Sequence, residues 1–124
     1  MKILKLEPGK RPIVMEIDNS LESMQSVVEG TIQALFPFED EVALICNDEG
    51  KLLQLTPNRA LRMPETNQVY DIICGTCLLC GAPADSNCFT SLTQEQLERY
   101  MEYYKYPEIF LNIDGNMIVL KMKG

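Results

Sequence analysis

A chain of 124 residues, 46% hydrophobic and 23% charged, has the size and balance of one globular domain and is too apolar for disorder. A net charge of -7 disfavours direct nucleic-acid binding, because each phosphate contact would be made against the protein's own field. With no histidine, the chain cannot build a Ser-His-Asp triad, a Cys-His dyad, a His-liganded metal or a His acid–base catalyst.

The start, Met1-Lys2-Ile3-Leu4-Lys5-Leu6, alternates charge with hydrophobe and lacks the apolar run of a signal peptide. No stretch reaches the length of a membrane span, so a cytoplasmic protein without a membrane partner is expected. Five cysteines in such a chain point to reduced thiols.

Alternation at Lys2 to Leu6 and at Ile13 to Ile17, around Glu7-Pro8-Gly9-Lys10, predicts an antiparallel hairpin. Asn19, with Glu22 three residues on, suggests an N-cap. Leu21, Met24 and Val28 then lie at helical spacing up to a stop at Gly30, predicting a helix over about Ser20 to Glu29. Thr31 to Phe36 and Val42 to Cys46 read as strands. Asn47-Asp48-Glu49-Gly50 is a turn, with Lys51 to Leu55 returning as the partner strand. Thr56 to Gln68 is polar, contains Pro57 and Pro64, and reads as a loop.

Tyr70 to Cys80 reads as one long buried strand. Thr93 with Gln96 makes a capping box for a second helix, stapled by Leu92 on Leu97 and facing inward with Leu97, Tyr100, Met101 and Tyr104. Pro107 ends it, and the tail forms a hairpin turning at Asp114-Gly115. The class is therefore α+β: a mainly antiparallel sheet of hairpins with two helices packed on it. Residues 1–107 form the domain. Residues 108–124 are an extension that either completes the sheet or pairs with a second subunit as a homodimer.

Cys74, Cys77 and Cys80 recur at intervals of three, with Cys88 further on, which suggests a zinc or iron–sulfur ligand set. A strand opposes this. It would hold Cys74 and Cys80 roughly 20 Å apart and turn Cys77 to the other face. Buried cysteine also serves as a small hydrophobe, so no metal and no cofactor is expected.

The run Cys46-Asn47-Asp48-Glu49-Gly50-Lys51-Leu52, followed by Leu55-Thr56-Pro57-Asn58-Arg59, resembles a bacterial and phage family, domain-of-unknown-function family 3846. Leu6-Glu7-Pro8-Gly9-Lys10, Asp71-Ile72-Ile73-Cys74-Gly75-Thr76 and the Leu92-Thr93 helix start share the likeness, which covers about residues 2 to 106. The resemblance implies an origin in phages, prophages or conjugative elements, often beside genes that help mobile DNA survive in a host. It implies no activity.

Arg59 offers a planar five-donor fork for phosphate or carboxylate, Asn58 a donor and an acceptor, and Lys51 a further charge. With Asn47 they form a candidate ligand-binding set for a nucleotide-like molecule. The structural alternative pairs Arg59 with Asp48 or Asp71. The expected function is a non-enzymatic binding protein that counters host defence by sequestering a small nucleotide signal, with the tyrosines of the second helix as a stacking wall. The rival is an acidic inhibitor or DNA mimic that presents Glu39-Asp40-Glu41 and Asp48-Glu49 to a host defence protein such as a nuclease or restriction enzyme.

Overall fold

The computed structural model describes residues 1–123. Its first element is the expected hairpin of β1 (Lys2–Leu6) and β2 (Ile13–Glu16), paired from Lys2↔Glu16 to Lys5↔Ile13. Gly9 takes a positive φ of 73° in the turn, and the Lys10 N–H donates to the Glu7 carbonyl at 3.2 Å. Helix α1 (Leu21–Val28) follows, capped by Ser20 rather than Asn19. Ser20 is extended and its hydroxyl accepts from the Ser23 N–H at 3.1 Å, whereas the Asn19 amide donates to the Phe89 carbonyl at 2.9 Å. Asn19 was thus drawn away by a partner 70 residues along the chain.

Strands β3 (Ile32–Leu35), β4 (Val42–Asn47) and β7 (Cys77–Gly81) complete an antiparallel sheet in the order β2-β1-β7-β4-β3. Both faces of its centre are covered, which is why Val42–Asn47 and Cys77–Gly81 are buried at every position. On one face Ile3, Ala43, Ile45, Leu78 and Cys80 pack against Met24 and Val28 of α1. On the other, Leu4, Leu6, Val42, Leu44, Cys77 and Leu79 meet Leu61 and Ile73 of a two-stranded ribbon, β5 (Pro57–Arg62) with β6 (Val69–Cys74). The same cluster takes in Leu97, Tyr100 and Tyr104, contributed by helix α2 (Gln94–Tyr103) and its C-cap. The layers are therefore helix, sheet, then ribbon with helix, and the fold is α+β.

Three sequence expectations change. Lys51 to Leu55 is a chain of tight turns, not the partner of β4, because β3 and β7 already occupy both edges of that strand. Thr56 to Gln68 is not a loop throughout, since Pro57–Arg62 forms β5. Tyr70 to Cys80 is two strands in two different sheets, broken at Gly75, whose φ is 88°. The capping box of α2 stands as expected, with Thr93 and Gln96 bonding reciprocally at 3.0 and 3.1 Å.

The tail is a hairpin of β8 (Glu108–Ile113) and β9 (Asn116–Lys121) turning at Asp114 and Gly115, both at positive φ. It does not complete the main sheet. Among the described residues it pairs only with itself, and it is anchored by Glu108, which accepts from the Ala60 N–H at 3.2 Å and from Arg62 at 2.8 Å.

Candidate functional site

The four residues singled out from the sequence do not converge. Asn58 and Arg59 lie at 0% exposure. The Asn58 amide donates to the carbonyls of Leu6 and Gly75, both at 2.9 Å, and its oxygen accepts from Arg59 Nη1 at 2.8 Å. Arg59 Nη2 donates to the carbonyls of Lys10 at 2.7 Å and Tyr104 at 3.1 Å, and Nη1 also reaches those of Asn58 and Glu7. Neither Asp48 nor Asp71 is its partner. Arg59 ties the β1–β2 turn, β5 and the end of α2 together and has no surface to offer a ligand. Burial lowers its pKa from the ordinary value, and the charge of Glu108 pulls the other way.

Asn47 is buried as well. Its amide donates to the Val28 and Glu29 carbonyls at the end of α1, and its oxygen accepts from the Glu49 N–H at 2.8 Å. Only Lys51 is exposed, and it is held by Asp71, whose hydrogen bond raises its pKa. An Arg-Asn pair signals ligand binding only at a surface; here it satisfies backbone groups that three elements bring inside.

A better-formed site lies along α2. Pro37, Phe38 and Asp40 of the β3–β4 connection, Arg62 at the end of β5 with Met63 and Pro64 after it, and Arg99 and Tyr103 of α2 border a cleft of about 410 Å3. Its wall is aromatic. Phe38 stands 4.8 Å from the ring of Tyr100 and 6.3 Å from that of Tyr104, while Tyr103 meets Tyr104 edge-on at 4.7 Å. Tyr100 and Tyr104 are buried, but Tyr103 is 52% exposed. At the rim, Arg99 donates to Asp40 at 2.5 Å and to Glu95 at 2.7 Å, and Arg62 donates to Glu108. A guanidinium has five N–H groups, so both arginines retain free donors.

The expected run of tyrosines was visible in the sequence. Phe38, Arg62 and Arg99 were not legible as a site, because each comes from a different segment. The acidic run is largely engaged from within: Asp40 accepts from Arg99, Tyr100 and Gln96, and Glu41 accepts from the Ala84 N–H at 3.0 Å.

Among known families, the model of the domain of unknown function DUF3846 matches residues 1–105. The chain belongs to that family. No curated protein and no solved structure matches it. The family match stops at the end of α2, so the whole cleft lies within this DUF3846 domain and the β8–β9 ribbon lies beyond it.

The cysteines of this DUF3846 chain are all free, and they are dispersed. Cys77 belongs to the cluster on one face of the sheet, Cys80 to the cluster on the other, and Cys88 is exposed in a loop. Among the described residues, no group of three or more Cys, Asp or Glu side chains is placed to hold a metal ion. Likewise, no helix there is long and apolar enough to cross a membrane.

Burial pushes the thiols up, Cys46 to about 11 and both Cys77 and Cys80 to about 12. Burial and the hydrogen bond to Asp40 raise the Tyr100 phenol to about 12. These folded-state values exceed the unfolded ones, so their stabilisation is whole below pH 9.0 and is lost as pH rises towards 12. Asp40 has the opposite sign. Its burial alone would raise the pKa, but hydrogen bonds from Tyr100, the Glu41 N–H and Gln96, with the charge of Arg99, hold it below 3.8. Its contribution is therefore lost only in acid. The urea midpoint in reducing buffer is expected to fall progressively above pH 9.0. A midpoint level to about pH 11 would mean that these thiols ionise as freely in the native state as in the unfolded one.

Proposed function

We propose that this DUF3846 domain is a non-enzymatic binding protein of phage or mobile-element origin that counters host defence by sequestering a small nucleotide-type signal, held in the α2 cleft. The observation that carries this reading is the half-exposed ring of Tyr103, standing on buried Tyr104 beside the free donors of Arg99 and Arg62. A nucleobase gains from stacking on such a face, and a phosphate gains from the guanidinium forks at the rim. The cleft volume falls within the ~300–1,000 Å3 range of small-molecule sites. The mobile-element part rests on the family resemblance. The rival reading as an acidic mimic is weaker, because Asp40 and Glu41 are already bonded internally.

Titration calorimetry against a panel of linear and cyclic nucleotides tests the proposal. At least one member is expected to bind, and Tyr103→Ala is expected to weaken it by about tenfold or more, corresponding to the ~1–3 kcal/mol of a lost base stack. Tyr103 is exposed, so its variant should keep the wild-type melting temperature. Absence of heat across the panel, or a Tyr103→Ala variant that binds like wild type, would rule the reading out.

A further inference from the structure

Away from the cleft, three cations meet on one aromatic ring. The charged groups of Arg11, Lys105 and Lys123 stand 5.9, 5.5 and 5.9 Å from the centroid of Tyr106. No two of them can therefore lie further apart than about 12 Å, twice the larger radius, against a screening length of roughly 8–10 Å in ordinary salt. Arg11 and Lys123 are exposed, while Lys105 and Tyr106 are half-buried. The chain holds 18 acids to 11 bases, yet among the described residues none of these three cations has an ion-pair partner.

The backbone imposes this gathering. Arg59 Nη2 donates to the carbonyls of Lys10 at 2.7 Å and Tyr104 at 3.1 Å, the residues directly before Arg11 and Lys105. The Met122 N–H donates to the Pro107 carbonyl at 2.7 Å, which sets Lys123 beside Tyr106 across the base of the β8–β9 ribbon. Three segments distant in sequence thus present like charges to one spot, each from a hydrogen-bonded position. An aromatic ring attracts a cation to either of its two faces, so a third adds repulsion without a face of its own. An anion lying between the three relieves that repulsion.

The size of the patch selects the anion. A nucleic-acid backbone would run on past it and over a surface whose net charge is -7. An extended acidic peptide shows one face a carboxylate only every ~7 Å, so two single charges at most would fall within reach. A polyphosphate concentrates several charges within a few bonds, and it suits a guanidinium fork flanked by two ammonium groups. We propose that Arg11, Lys105 and Lys123, gathered around Tyr106, bind a compact polyphosphate group, a di- or triphosphate, either free or at the end of a nucleotide. None of these residues borders the α2 cleft, so the site is independent of the ligand proposed there.

Titration calorimetry of inorganic triphosphate into the full chain, in metal-free buffer of low ionic strength, tests it. Saturable binding at one site per chain is expected, with NMR amide shifts centred on Arg11, Lys105, Tyr106 and Lys123. Arg11→Gln, Lys105→Gln and Lys123→Gln should each weaken binding by about fivefold. Lys2→Gln removes the same charge at the far end of β1 from the β1–β2 turn, and should leave affinity within about twofold of wild type. Tyr103→Ala should bind inorganic triphosphate like wild type, whatever becomes of the cleft's own ligand. On that variant a nucleoside triphosphate distinguishes the sources. A gain of about tenfold over inorganic triphosphate assigns the group to a nucleotide, and equal affinity assigns it to free polyphosphate. Absence of saturable binding, a loss on Lys2→Gln as large as on the other three, or equal affinity for sulfate or a tetraglutamate peptide would overturn the proposal.

Discussion

Replacing Arg59 by Ala is expected to lower the unfolding free energy by about 3–5 kcal/mol, read from urea denaturation at pH 7. The guanidinium donates to the carbonyls of Glu7, Lys10, Asn58 and Tyr104 and to the side chain of Asn58, all in a region with no exposed arginine surface. Truncation removes these donors together and leaves a cavity between the β1–β2 turn, β5 and α2. Lysine keeps the charge but presents one nitrogen, and it cannot span acceptors set around a planar fork. Arg59→Lys should therefore lose about half as much. A loss below about 1 kcal/mol for Arg59→Ala would mean that water replaces the guanidinium, and that the three elements are held by apolar packing alone.

Gly75→Val should cost about 3 kcal/mol, from two separable sources. At φ 88° the backbone is in a region that a β-branched residue resists, and a Cβ there would stand 2.7 Å from Leu55 Cδ1. Gly75 also donates its N–H to the Thr56 carbonyl at 2.8 Å and accepts from Asn58, so the hinge cannot move freely to relieve the strain. Adding Leu55→Ala should recover the crowding part and leave the backbone part. A double variant as stable as Leu55→Ala alone would show that the dihedral carries no cost.

Gly75 also shows why the sequence misleads in this region. Tyr70 to Cys80 is apolar almost throughout, which reads as one strand, yet one glycine at positive φ sends its two halves into different sheets. Cys77 and Cys80 do fall on opposite faces, as alternation within β7 requires. The partners of β4 were equally hidden. The turn after Asn47 suggested a hairpin, but the strand pairs instead with β3 before it and β7 some 30 residues later. The candidate site failed for the same reason. Arg59 and Asn58 have the chemistry of a ligand clamp, and whether they meet solvent depends on acceptors up to 52 residues away.

What the sequence determined by itself is local: the β1–β2 and β8–β9 turns, the Thr93–Gln96 capping box, the inward stripe of α2 and the α+β class. Each depends on residues a few positions apart, where dihedral preference and side-chain-to-backbone bonding dominate. Only the tertiary structure decided that Arg59 is a buried clamp, that Asn47 caps α1, and that Phe38, Arg62, Arg99 and Tyr103 border one cleft. These outcomes turn on which polar groups lose water when distant segments meet, and that exchange is settled by packing rather than by sequence neighbours.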